Sequence, residues 1–255
     1  VYDNRWMVID TNTWSYNYPD ISNPPAPRLD HTATLTPNGN IIIIGGLVYS
    51  RNVTDPLGQH TLNPVSMNSL LKFDAAESQW QNVTAIGNIP APRGGHSAVL
   101  SSDGNSIIVF GGSTIEENGS FKTLNDIFVL ELATMRWSAP SVYGEPPLPR
   151  KYHYAHLVDE DLMLVGFGLG TGDEHHGTNS VHLLSTSTWT WISDYHPNVY
   201  WLTRNGTTSM VTTSIYITNF TYDKIMADKN KNEQSSHVRA GVIAGVISGG
   251  VVAVS

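Results

Sequence analysis

Apolar and polar positions in this chain fall into short, strand-length runs separated by turn clusters. The clearest stretch runs from Pro92 to Trp137. His96 to Leu100 alternates loosely, Ser102-Asp103-Gly104-Asn105 is a tight-turn cluster, and Ser106 to Phe110 is a β-branched apolar run closed by Gly111-Gly112. After a polar loop, Ile127 to Leu130 forms a third strand and Trp137 lies in a fourth. Alternating or continuous apolar runs bounded by Gly, Asn and Asp predict strands joined by hairpins.

The same pattern stands on both sides. Upstream, PRLDHTATLTPNGNIIIIGG is followed by NSLLKFDAAESQW; downstream, PRKYHYAHLVDEDLMLVGFG is followed by NSVHLLSTSTWTW. The motif arginines Arg28, Arg93 and Arg150 are 65 and 57 residues apart. The first glycines after the apolar runs, Gly45, Gly111 and Gly166, are 66 and 55 apart, and the closing tryptophans are Trp80, Trp137 and Trp189 or Trp191. Because the markers move together, length variation belongs to the loops. A period of about 50 residues with a Gly pair and a Trp in each unit is a sequence signature of propeller blades.

The Pro-Arg-x-x-His starts (Arg28/His31, Arg93/His96, Arg150/His153), the Gly45-Gly46 and Gly111-Gly112 pairs and the spaced tryptophans resemble kelch repeats over roughly residues 1–195. The third copy departs, with Gly166-Phe167-Gly168 in place of adjacent glycines and no fourth Pro-Arg-x-x-His after it. The resemblance implies an all-β, kelch-like β-propeller of about three complete four-stranded blades plus a partial N-terminal blade. Residues 1–20 are then the partial blade, in which Arg5 to Trp14 matches a third strand, a turn and the closing Trp. Residues 21–83, 84–140 and 141–195 are the complete blades, and 196–222 terminal strands or irregular chain. Propellers have typically four to eight blades, so further N-terminal blades or an open assembly is expected.

Composition narrows the functional classes. A chain of 255 residues, 40% hydrophobic and 14% charged, is long enough for one large domain. A net charge of −8 without a basic stripe argues against nucleic acid. With no cysteine, disulfide and thiol chemistry are excluded within this chain. Asn-x-Ser/Thr sequons at Asn52, Asn82, Asn118, Asn205 and Asn219 are candidate glycosylation sites. Residues 223–238 form a polar linker, and 239–255 an apolar tail expected to be the start of a transmembrane helix, with Gly241, Gly245 and Gly249 spaced for close packing in lipid. Together these point to a single-pass membrane protein with its propeller on the extracellular or luminal side.

Chemistry is sparse. Features recurring once per unit (Arg28, His31, Gly45, Gly46, Trp80, Arg93, His96, Gly111, Gly112, Trp137, Arg150, His153, Gly166 and Trp189) are assigned structural roles. The turns between first and second strands are tight, such as Pro37-Asn38-Gly39-Asn40, whereas the loops between second and third strands are long and varied. In an antiparallel blade those loops share a face with the crossovers, so the binding face is expected there. Its candidates are Arg51, His60, Glu116, Glu117, Asp173, Glu174, His175 and His176. Adjacent histidines on an extended loop point to different sides, so 173–176 is taken as binding loop, not a metal site. Neither catalytic residue nor cofactor is assigned. The expected function is a non-enzymatic module binding protein or glycan. The alternatives are a galactose-oxidase-like copper enzyme whose Tyr–Cys cross-link would need a cysteine from outside this chain, or a cytosolic kelch adaptor.

Overall fold

The computed structural model describes residues 7–19, 24–51, 60–116, 118–170, 177–192, 200–204 and 207–211. These residues are all-β, and none forms a helix long and apolar enough to cross a membrane. The apolar segment 239–255 and the linker before it lie outside the described residues.

Three antiparallel sheets carry the repeat. Sheet I comprises Thr32–Leu35, Asn40–Ile44, Ser69–Asp74 and Gln79–Thr84, in that order. Sheet II comprises Ser97–Leu100, Ser106–Ile115, Phe121–Glu131 and Arg136–Ser138, with Ile86–Gly87 added in parallel to the last strand. Sheet III comprises Tyr154–Asp159, Leu162–Gly166, Val181–Ser185 and Thr190–Ile192. First strands of adjacent sheets lie beside one another, which sets them nearest the axis about which the sheets are arranged. Two hairpins stand apart as separate two-stranded sheets, Val8–Asp10 with Ser15–Asn17 and Tyr200–Arg204 with Thr207–Val211.

Each β-branched second strand is buried on both faces, which is why it reads as a continuous apolar run. Ile42, Ile44 and Leu70 of sheet I pack against Ile107, Val109, Leu130 and Trp137 of sheet II. Val99, Ile108, Phe110 and Ile127 of sheet II repeat that arrangement against Met163, Val165, Leu184 and Trp191 of sheet III. Each fully buried side chain of this size stabilises by roughly 1.5–3 kcal/mol, so the inter-sheet layers are the main source of stability. Trp137 is buried and its Nε1–H donates to the Met67 carbonyl at 2.9 Å, fastening the outer strand of sheet II to sheet I.

The strand register corrects two sequence assignments. Phe73 pairs with Trp80, Leu130 with Trp137 and Leu184 with Trp191, so Trp191 closes the third unit. Trp189 instead ends the preceding turn at φ 53°, the place held by Ser78 and Met135. By the same register Tyr16, opposite Ile9, holds the closing place in the N-terminal hairpin, and Trp14 is the exposed turn residue. The second correction concerns glycine. Ile44, Phe110 and Gly166 each end a second strand opposite Thr32, Ser97 and Tyr154. Gly45 and Gly111 therefore correspond to Phe167, and the third-copy partner of Gly46 and Gly112 is Gly168.

Candidate functional site

The Pro-Arg-x-x-His segments build the joints. His96 Nε2 lies 3.0 Å from the Thr32 hydroxyl of the preceding sheet, and His153 Nε2 lies 2.8 Å from that of Ser97. Burial holds both imidazoles far below the usual histidine range, at about 3, with Arg93 and Arg150 the next cause for their respective neighbours. They are neutral hydrogen-bonding groups at ordinary pH and suit joinery, not proton transfer.

The arginines turn the other way, into their own sheets. Arg93 donates to the carbonyls of Ala91 and Gly111 and forks onto both oxygens of Asp126. Arg150 donates to the carbonyls of Leu148 and Phe167, each at 3.1 Å, but at the carboxylate's place it finds the Ser180 hydroxyl at 3.1 Å. Arg28 makes long contacts to the Gly45 and Ser69 carbonyls. Burial lowers the pKa of both Arg28 and Arg150. Among the described residues, neither has the carboxylate that Arg93 has. Each opens into a cleft beneath a proline-bearing crossover: one of about 830 Å³ at Pro24, Pro25, Arg28 and Trp80, the other of about 310 Å³ at Pro146, Leu148, Arg150 and His182.

Beside these clefts lies the face carrying the long loops. The loop of sheet I contains a second hairpin, Leu47–Arg51 with His60–Pro64. In sheet II the two middle strands run past a bulge at Gly111 to Ile115 and Phe121. The middle residues of the motifs, Asp30, Gly95 and Tyr152, all adopt positive φ (55°, 64° and 55°). They join in series: Gly95 N–H donates to the Asp30 carbonyl at 2.9 Å and Tyr152 N–H to the Gly95 carbonyl at 2.8 Å. The Tyr152 hydroxyl then reaches across sheet II to the Asp30 carboxylate, at 2.9 Å. Gly95 is required between them, because a Cβ there would sit 2.9 Å from the Tyr152 ring. The Lys151 ammonium lies 5.6 Å from both the Phe121 and Tyr152 ring centroids. Phe121, Tyr152 and Tyr49 are all exposed. An exposed aromatic pair holding a cation, next to a carboxylate, is equipped to bind a mixed apolar and charged surface.

Of the expected binding residues, Arg51 and His60 pair with each other in the sheet I hairpin. Glu116 lies at the tip of the sheet II extension, 3.4 Å from Lys122 Nζ. Glu117, Asp173, Glu174, His175 and His176 lie outside the described residues. No group of three or more His, Asp or Glu among the described residues could hold a metal ion. Asn82 is exposed on the outer strand of sheet I, and Asn118 is in an exposed turn, accepting from the Ser120 amide at 2.9 Å. Asn52, Asn205 and Asn219 lie outside the described residues. Sequence reasoning missed Asp30, Phe121, Lys151 and Tyr152. The available signal was the x-x pair of each motif, Leu-Asp, Gly-Gly and Lys-Tyr, which varies while its neighbours repeat.

A family model described as the KLHDC2/KLHL20/DRC7 Kelch-repeats domain matches residues 57–231. The chain is 33% identical to acyl-CoA-binding domain-containing protein 5 of Arabidopsis thaliana, over 72% of this chain and 25% of that protein. It is 27% identical to host cell factor of Drosophila melanogaster, over 74% of this chain and 13% of that one. It is 32% identical to dynein regulatory complex subunit 7 of Chlamydomonas reinhardtii, over 52% of this chain and 10% of that one. The chain thus spans a quarter or less of these relatives. The solved structure of YjhT is similar in fold, with a TM-score of 0.53 at 15% identity over 74% of this chain and 58% of that one.

Proposed function

The chain belongs to the KLHDC2/KLHL20/DRC7 Kelch-repeats domain family, and from that premise we propose that it is a non-enzymatic domain that binds a protein partner through the long-loop face. The observation that carries this reading is Lys151 placed between the exposed Phe121 and Tyr152 rings, with Tyr152 tied to Asp30. Exposed aromatic side chains fixed by their neighbours lose little entropy on binding and are frequent interface anchors. The hydroxyl–imidazole contacts, Thr32 with His96 and Ser97 with His153, are buried at the joints between sheets, with both imidazoles held neutral, which suits structure. The partner surface that fits carries an apolar group for the rings.

Our reading also sets the domain on the extracellular or luminal side of a membrane, anchored through 239–255, with sugar on exposed Asn82 or Asn118. It rests on the sequence alone.

The test uses the full chain as bait, followed by direct titration of each candidate partner against wild type, Phe121→Ala and Lys151→Glu. At least tenfold weaker binding by both variants, with unchanged melting temperature, supports the face. Equal binding by all three overturns it, as does loss of binding only when glycans are stripped from the partner. A mass shift on glycosidase treatment of the chain from its native source checks the compartment; its absence at both Asn82 and Asn118 counts against it.

A further inference from the structure

The three motif arginines do not meet the same group. Asp126, which Arg93 grips with both Nη atoms, directly precedes Ile127, the residue paired with Phe110. Ser180 directly precedes Val181, which is paired with Gly166 at the corresponding end of its second strand. In sheet I, Leu71 pairs with Ile43, which gives Ser69 the same place. Serine therefore stands in the acid's position at both Arg150 and Arg28. The ring beside the guanidinium changes too: Arg93 lies 5.5 Å from the Phe128 centroid, and His182 and Leu71 hold that place in sheets III and I.

At Arg150 the exchange leaves a cationic cleft. The residue is 2% exposed, and its Nε and Nη1 donate to the Leu148 and Phe167 carbonyls as their counterparts in Arg93 donate to Ala91 and Gly111. Nη2, which in Arg93 reaches the carboxylate, lies 3.1 Å from Ser180 Oγ and 3.5 Å from His182 Nε2. Ser180 Oγ is in turn 2.9 Å from Thr178 Oγ1 and 3.2 Å from His182 Nε2. Burial, and then the Arg150 charge, lower the His182 pKa, so these neighbours are neutral at ordinary pH. A guanidinium stays charged there, and a buried charge without a counter-charge is costly. Thr178, Ser180 and His182 line the cleft of about 310 Å³ with Arg150; all three are half-buried, so the Nη2 edge can be reached from outside. Its rim carries Leu148, 75% exposed.

We propose that this cleft seats the carboxylate of an Asp or Glu side chain presented by the protein partner, forked onto Arg150 as Asp126 is forked onto Arg93. Sheet II selects the occupant, because it shows the same backbone and the same arginine with the acid in place. A two-pronged carboxylate is the group that matches a guanidinium edge in both shape and charge. Leu148 at the rim offers apolar contact to a residue next to that acid. Arg150 and Lys151 are consecutive in the short strand paired with Leu169–Gly170, so the cleft adjoins the long-loop face. That the carboxylate belongs to a protein rests on the proposed partner binding; that the cleft takes a carboxylate does not. Arg28, with Ser69 in the acid's place and a cleft of about 830 Å³, repeats the arrangement in sheet I.

Replacing Arg150 risks the fold, so the test fills the seat instead. The full chain and Ser180→Asp, which places the chain's own carboxylate beside Arg150, are titrated with sodium acetate at constant ionic strength while the Arg150 Nε–H resonance is followed by NMR. The expected result is a saturable shift with acetate, none with chloride or sulfate, and at least tenfold weaker acetate binding by Ser180→Asp. Partner binding by Ser180→Asp should weaken at least tenfold as well, without a fall in melting temperature. Absence of saturation, an equal response to sulfate, or equal acetate binding by the variant overturns the seat. Saturation that appears only in Asp173→Asn/Glu174→Gln overturns the partner as its occupant, since the chain would then supply the acid itself. Partner binding weakened by Phe121→Ala but not by Ser180→Asp overturns the occupant and leaves the long-loop face standing. Partner binding weakened by Ser180→Asp but not by Phe121→Ala supports the seat and removes the aromatic anchor, so the two readings fail separately.

Discussion

His153 Nε2 and Ser97 Oγ lie 2.8 Å apart across the boundary between sheets II and III, and the imidazole that makes this bond is buried. Its pKa is lowered to about 3, as is that of His96. A folded-state value below the unfolded value near 6.5 means that the unfolded chain takes up protons first as pH falls. The stability these groups contribute is complete above pH 6.5 and declines between about 6.5 and 3. Each group adds up to about 1.4 kcal/mol per pH unit in that window. Denaturant melts at pH 7, 6, 5 and 4 should show a falling midpoint, and His153→Gln should flatten the profile. A profile unchanged by that substitution would remove His153 from the acid response.

Gly39 and Gly45 separate conformational from steric requirement. Both have positive φ, 80° and 59°, but a Cβ at Gly39 meets nothing within 4 Å. Gly39→Ala is expected to cost about 1 kcal/mol, from backbone strain alone. Gly45→Ala also drives a methyl into the Arg93 carbonyl and is expected to cost about 3 kcal/mol or more. Equal losses in urea titration would mean that the sheet I–II joint is looser than the structure shows.

Asp126 compensates a guanidinium that is fully buried in its side chain, although the carboxylate is 41% exposed. Asp126→Asn is expected to lower stability by about 1–3 kcal/mol, toward the smaller value because water reaches the carboxylate. Ser180→Asp places a carboxylate by Arg150 where Arg93 has Asp126 and is expected to raise stability by about 1 kcal/mol. Thermal melts of the two variants should move in opposite directions.

Phe121 is half exposed and anchors no inter-sheet layer. Phe121→Ala should change stability by less than about 1 kcal/mol, while weakening partner binding at least tenfold if the ring is an interface anchor. A large loss of stability with intact affinity would reverse the roles.

How much was legible depended on what repeats. The Pro-Arg-x-x-His starts and the apolar second strands marked three units because each joint demands the same atoms. The third unit misled because two landmarks occur twice within it. Trp189 and Trp191 are two residues apart, and only pairing with Leu184 singles out Trp191. Gly166 and Gly168 flank Phe167, and only the position opposite Tyr154 shows that Gly166 belongs to the strand. The hairpin inside 47–67 was hidden because its sequence carries little alternation. Tyr152 and Asp30 are 122 residues apart; nothing local announces their contact, since the stacking of sheets alone creates it.

The internal joints have a genetic corollary. An in-frame deletion of residues 94–150 would run Arg93 directly into Lys151, bringing His153 to the Thr32 hydroxyl and the arginine carbonyl back over Gly45. Apolar layers of matching size, Ile42 and Ile44 against Val165 and Trp191, would meet behind them. The interlocking groups of one joint can thus serve the other, with Lys151 then at the place of Gly94, where a Cβ would lie 3.1 Å from the Leu47 side chain. Sheet III has Tyr154 and Phe167 at the places of Thr32 and Gly45, so the same exchange does not carry over unchanged to a unit placed after it.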